Sequence, residues 1–195
     1  MEKSAKIVFI GQAGVGKTSI LLRFINGPDK DINYISPTIA AAFNRKKVTI
    51  DNQPVYLDFW DTSGQERYYS ISKIYFRRST CCILVFDIND QNSFNQLNVW
   101  KSLCDDAHID TDNLPAYFLV GNKIDKNKNK ISHHTIESWC ENNNICDYIE
   151  TSALTSEGIS ILLDKIVNYL KIHDCFIINN SEIKKSESAM SYCNC

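Results

Sequence analysis

The sequence predicts an α/β fold: a mostly parallel sheet with helices on both faces. Six apolar strand-like runs recur, at Lys6–Ile10, Phe43–Ile50, Val55–Phe59, Cys81–Phe86, Ala116–Val120 and Tyr148–Thr151. Helix-length segments separate most of them, as parallel strands require, and unbroken apolar runs suit strands covered on both faces. The chain has 195 residues, 44% hydrophobic and 23% charged, which is enough to bury a core within one domain.

In order along the chain, the first strand runs straight into Gly11-Gln12-Ala13-Gly14-Val15-Gly16-Lys17-Thr18, and a helix is expected over about 17–26. The second and third runs are separated by Asp51-Asn52-Gln53-Pro54, a turn signal that makes them a hairpin. A short helix is expected after Gln65, and longer ones over about 92–106 and 132–143, with Asp90 and Ser132 as their N-caps. The clearest helix spans 159–170, where Ile159, Leu162, Leu163, Ile166, Val167 and Leu170 keep helical spacing. From about Asp174 the pattern stops, so residues 1–173 read as one domain and 174–195 as a flexible tail rich in Asn, Ser, Lys and Glu.

A glycine-rich stretch is usually a turn, but here it follows a strand, opens a helix and fits G-x-x-x-x-G-K-[ST]. In that place backbone N–H groups converge on an anion, helped by the helix dipole. Gly11 through Ser19 would wrap phosphates, the Lys17 ammonium would reach the outer ones, and the Thr18 hydroxyl would reach Mg²⁺. A second segment, Asn122-Lys123-Ile124-Asp125, closes the fifth strand and faces the same rim. The two acceptors of an Asp125 carboxylate match the ring N–H and exocyclic amine of guanine, a donor pair adenine lacks. Asn122 would bond the imidazole side of the base and the Lys123 stem would cover its face. Glu150-Thr151-Ser152-Ala153, at the end of the sixth strand, would offer a backbone donor to the guanine carbonyl, with Ser152, Ala153 and Leu154 counted among the nucleotide-binding residues.

Further elements complete the set. Asp61 ends a strand, where a carboxylate can hold Mg²⁺ through water, and Gly64 lets backbone approach a γ-phosphate. Gln65 is placed to orient an attacking water, and Thr38 to complete the Mg²⁺ shell. Taken singly, Gln65 and Thr38 would be ordinary loop residues.

Together these motifs resemble the Ras superfamily of small GTPases over about residues 5–172. Phe59-Trp60-Asp61 leading into Gly64-Gln65-Glu66-Arg67-Tyr68, Tyr75-Phe76-Arg77, Val85-Phe86-Asp87-Ile88 and a closing C-x-C resemble the Rab branch. Pro37-Thr38-Ile39-Ala40-Ala41-Ala42-Phe43 is most similar to its endosomal subgroup. The resemblance implies a P-loop GTPase domain with a six-stranded sheet, strand two antiparallel, and switch loops at about 30–43 and 61–76. It implies GTP and GDP with Mg²⁺ as ligands, and Gln65 and Lys17 as catalytic residues. It also implies an exchange factor, a GTPase-activating protein, effectors and a GDP-dissociation inhibitor or escort protein as partners. Phe43, Trp60 and Tyr75 match the aromatic triad through which Rabs meet effectors, although residue chemistry alone also permits half-buried core. Cys193 and Cys195 resemble the double-prenylation ending, placing the protein on the cytoplasmic face of endomembranes, endosomal by subgroup.

Departures from the family pattern are local. Asp31 stands where an aromatic residue commonly packs on guanine, with Ile32 or Tyr34 as substitutes, and the segment from Gly27 to Asn33 is about two residues long. Leu154 replaces a common lysine, Ala40 and Arg78 replace glycines, and Ser63 replaces an alanine. These leave room for a second reading, a nucleotide-loaded binding module that scarcely hydrolyses.

Other classes are disfavoured. A net charge of −2 lacks the basic face of a nucleic-acid binder. No apolar run approaches the roughly 20 residues needed to span a bilayer, no signal peptide opens the chain, and Glu2 excludes N-myristoylation. The cysteines before the tail show no zinc spacing and read as reduced thiols.

Overall fold

The computed structural model describes residues 2–28, 38, 41–62, 69–110, 114–126 and 130–179. In chain order the elements are β1 (Glu2–Ile10), α1 (Lys17–Asn26), β2 (Ala42–Ile50), β3 (Gln53–Asp61), α2 (Tyr69–Phe76), β4 (Cys81–Asp87), α3 (Gln91–Asn95), α4 (Leu97–Asp106), β5 (Ala116–Asn122), α5 (His133–Asn142), β6 (Ile145–Thr151), α6 (Ile159–Ile172) and β7 (Ile177–Asn179). One sheet runs in the order β2-β3-β1-β4-β5-β6. Its pairs are parallel except β2 with β3, so the expected six-strand path with strand two antiparallel is present.

A seventh strand adds to it. β7 pairs antiparallel with Glu2–Ser4 at the start of β1, within the stretch the sequence assigned to a flexible tail. Cys175-Phe176-Ile177-Ile178 is a short apolar run, and Cys175 and Phe176 pack against the core. Too short to show a period, it resolves as a strand only because the first residues of β1 offer an unpaired edge.

β4 shows why the sheet is covered twice. Cys81, Ile83 and Val85 face one core, with residues of α1 and α6, while Cys82, Leu84 and Phe86 face the other, with residues of α3, α4 and α5. All six are fully buried, so the strand reads as an unbroken apolar run rather than an alternating one.

The local signals translate into local geometry. The hairpin turns on two residues, Asp51 and Asn52, both at positive φ, and Gln53 and Pro54 already belong to β3. That is the backbone a tight two-residue hairpin demands. The Asp90 carboxylate accepts from the Asn92 N–H, and the Ser132 hydroxyl oxygen from that of Thr135, as N-caps do. The single helix expected over 92–106 is instead two, divided at Gln96, whose ψ of −12° tightens one turn towards 3₁₀ geometry. Arg78, at the turn from α2 to β4, has a φ of 57°, a left-handed conformation that explains why glycine suits this place. The outcome for function is one rim, where the carboxyl ends of β1, β3, β4, β5 and β6 open together.

Candidate functional site

The rim is built outward from the end of β1. The chain leaves Ile10, turns through 11–16 and enters α1 at Lys17. Gly11, at φ 141°, lies against the Val85 carbonyl oxygen so closely that a Cβ there would collide with it. A Cβ on Gly16, at φ 104°, would meet the Asn122 carboxamide. Both glycines are therefore required by packing as well as by backbone conformation. Inside this turn the Lys17 ammonium donates to the Gly11 and Gln12 carbonyl oxygens at 2.8 and 2.9 Å. Burial pushes Lys17 down to about 8, with the Asp61 carboxylate opposing the shift.

Three oxygens converge beside it. Thr18 Oγ1 donates to Asp61 Oδ2 at 2.6 Å, Thr38 Oγ1 donates to the same oxygen at 3.0 Å, and the two hydroxyls are 2.9 Å apart. Asp61 is almost wholly buried, and its other oxygen, Oδ1, has no hydrogen-bond partner. Burial raises the Asp61 carboxyl above its ordinary value, while the Thr18 and Thr38 hydroxyls pull it back. An orphaned buried carboxylate oxygen beside two hydroxyls is a hard oxygen set, suited to a small divalent cation completing its shell from ligand and water. No group of three or more His, Cys, Asp or Glu side chains that could hold a metal occurs among the described residues, so an all-protein metal cage is absent there.

The other end of the rim is a cavity of about 280 Å³ whose lining includes Gly14, Asn122, Lys123, Asp125, Ala153 and Leu154. Ser152 Oγ donates to Asp125 Oδ1 at 2.5 Å and fixes that carboxylate on the cavity wall. The Lys123 ammonium bonds the Gly14 carbonyl oxygen at 2.6 Å and pairs with Asp87 at 2.9 Å, joining this end to the phosphate loop. Asn122, expected from sequence to bond the imidazole side of the base, is held in place by hydrogen bonds within the protein. Its Nδ2 donates to the Val15 carbonyl oxygen, and its Oδ1 accepts from the Thr151 hydroxyl and the Ala153 N–H. The carboxamide thus ties the phosphate loop to the end of β6 and to the loop that follows it. Within the stretch assigned from sequence to the guanine carbonyl, the Ala153 N–H is here bonded to Asn122.

The Ras family pattern matches residues 6–172. Among curated proteins, the chain is 38% identical to a "Probable Rab-related GTPase" of Acanthamoeba polyphaga mimivirus, over 84% of this chain and 74% of that one. It is 35% identical to "Ras-related protein Rab7" of Drosophila melanogaster, over 80% and 74%. It is 33% identical to "Ras-related protein Rab-7a" of Dictyostelium discoideum, over 96% and 95%. The chain belongs to the Ras family, in its Rab branch. Its Rab7-like relatives place it with the endosomal subgroup.

In this Rab, Phe43, Trp60 and Tyr75 form one contiguous aromatic surface, with ring centroids 5.3 and 5.7 Å apart and Phe43 half exposed. Lys6 lies 5.2 Å over the Trp60 ring. Gly64 and Gln65 lie outside the described residues, as do Asp31, Ile32, Tyr34, Ala40, Ser63, Cys193 and Cys195. Leu154 is described, and 59% of its surface is exposed at the cavity edge.

Several site residues were not singled out by sequence. Although burial works against its charge, hydrogen bonds from Lys123 and Asn89 hold the Asp87 carboxyl below the usual range. Asn89 also donates to the Lys123 carbonyl oxygen, so Asp87 and Asn89 together orient Lys123. Thr62 donates to the Phe9 carbonyl oxygen and ties the end of β3 to β1. Val85-Phe86-Asp87 was a visible signal without a role. Thr62 and Asn89 carried none.

Proposed function

We propose that this Rab-family chain is a nucleotide-timed switch that binds GTP, hydrolyses it slowly to GDP, and directs traffic of endosomal membranes. The observation that carries the reading is the joining of two ends on one rim. A buried lysine and a carboxylate–hydroxyl set stand at the phosphate end, and an Asp125-walled cavity stands at the base end.

Each residue then has a physical task. Glycine-permitted backbone at 11–16 presents N–H groups to the phosphates. Lys17 exchanges its two carbonyl partners for phosphate oxygens. Thr18, Thr38 and Asp61 would hold Mg²⁺, which neutralises charge gathering on the phosphates. Asp125 selects guanine through its donor pair, while Asn122 and Lys123 keep the base pocket registered on the phosphate loop. Gln65 orients the water that attacks the γ-phosphorus as the bond to the GDP oxygen breaks, with no covalent intermediate. Positioning and electrostatics supply the acceleration, so the unassisted rate is on the order of 10⁻⁴ to 10⁻³ per second.

An exchange factor would reload the site and an activating protein would supply the missing charge. Effectors would read the surface of Phe43, Trp60 and Tyr75. Prenyl groups on Cys193 and Cys195 would attach the chain to membrane, and a GDP-dissociation inhibitor would extract it. One prenyl chain without a basic cluster gives only reversible binding, so both cysteines are required.

The test is single-turnover hydrolysis on the wild type, Gln65→Leu and Asp125→Asn. Gln65→Leu should keep GTP and slow turnover by about tenfold or more, as loss of water positioning predicts. Asp125→Asn should move preference from guanine towards xanthine nucleotides, because one acceptor becomes a donor. Equal turnover in Gln65→Leu would make the chain a nucleotide-loaded binding module. Unchanged GTP preference in Asp125→Asn would remove the guanine assignment.

A further inference from the structure

Arg23 lies on α1 and has been given no role so far, and only 8% of its surface is exposed. Its guanidinium reaches three backbone carbonyl oxygens on two separate loops. Nε donates to Ala153 at 2.8 Å, one terminal nitrogen to Leu154 at 3.0 Å, and the other to Pro28 at 2.5 Å. Ala153 and Leu154 form a wall of the base cavity. Pro28 is the last described residue before the segment that leads to Thr38.

The peptide groups of that wall are held from both sides. The Ala153 N–H is bonded to Asn122 and its carbonyl oxygen to Arg23. A second cavity of about 250 Å³ lies beside Arg23, lined also by Phe24, Pro28, Ile159 and Leu163 among others. The guanidinium thus joins the wall to the Pro28 loop at the edge of open volume. A planar fork with several donors can hold carbonyls on two loops at once, which a single ammonium cannot.

We propose that Arg23 is a positioning residue for base recognition, clamping the Ala153–Leu154 wall and the exit at Pro28 so that the base pocket is preformed. This rests on the guanine-site reading above. Ordering the wall before the ligand arrives removes an entropic cost of binding. It also couples base recognition to the start of the Thr38 segment through one side chain. Neither loop can shift without breaking bonds to the same guanidinium.

The test uses the full chain with Mg²⁺ and measures release of a fluorescent GDP, together with its displacement by unlabelled GDP and by ADP. Arg23→Ala should speed GDP release by about tenfold or more, the scale of lost hydrogen bonds to a charged group, with association little changed. Arg23→Lys keeps the stem and the charge but should fail to restore slow release, and it decides the matter should Arg23→Ala not fold. ADP is held by its phosphates, so its affinity should stay within about twofold and the preference for GDP over ADP should fall. Equal weakening of GDP and ADP would assign Arg23 to the framework of α1 and overturn the proposal. Slow release in Arg23→Lys would overturn it too. A wild type indifferent between GDP and ADP would instead fail the guanine reading itself.

Discussion

Lys17 keeps an ammonium in a place where only 5% of its surface meets solvent. Its two loop carbonyls offset part of that cost, and burial still lowers its pKa from 10.5 to about 8. The sign of the linkage follows. Between about pH 8 and 10.5 the unfolded chain binds the proton and the folded chain does not, so the nucleotide-free protein gains stability as pH rises through that window. A bound phosphate reverses the preference, because it favours the charged form. Nucleotide binding should then take up about half a proton at pH 8 and almost none at pH 7, with affinity falling as pH rises above 8. Calorimetry of GDP binding in buffers of different ionisation enthalpy measures this uptake. A result of zero at pH 8 would show that Lys17 is already fully charged in the free protein.

The loop between β6 and α6 carries the base wall, and Leu154 stands exposed there at the cavity edge. A leucine lacks the long stem with which a lysine could cover the base. Leu154→Lys should slow GDP release by about two- to tenfold, since an added contact to the bound state acts on the off-rate. Stopped-flow release decides it, and an unchanged rate would mean that Leu154 already covers the base. The same loop shows where sequence stops being legible. Gly11–Thr18 and Asn122–Asp125 were readable because their chemistry is set by neighbours in the chain, and β1, β4 and β5 because burial on both faces leaves apolar runs. Arg23 and Ala153 are 130 positions apart, so no local pattern announces their bond. The break at Gln96 and the strand at Ile177–Asn179 are tertiary outcomes of the same kind, decided by packing and by an open edge rather than by periodicity.

On the scale of the whole molecule, phosphate loop and β7 occupy opposite ends of one strand. The loop follows Ile10, while β7 lies on Glu2–Ser4 and runs outward, away from the rim. Surfaces that change with nucleotide therefore point away from the place where the tail departs. With lipid on Cys193, the leash begins at Asn179 and spans fourteen residues, at most about 50 Å when fully extended. Peeling β7 and the residues back to Asp174 would free about five more residues, but β7 is itself extended and already runs outward, so its origin retreats towards the rim as the tether lengthens. Ile177→Pro combined with Ile178→Pro removes whichever of the two alternating N–H groups faces β1 and should release this short ladder. Energy transfer from a dye on the bound nucleotide to acceptor lipids, with the chain anchored on a bilayer, should then spread over a wider range of distances as the tether is unpinned. An unaltered transfer would place the origin of the leash elsewhere. Three residue pairs fix where the described chain leaves the sheet, at the end of β1 remote from the phosphate loop. A pull on the chain beyond Asn179 would load those pairs before the nucleotide rim, so the point of departure could move while the rim stays whole.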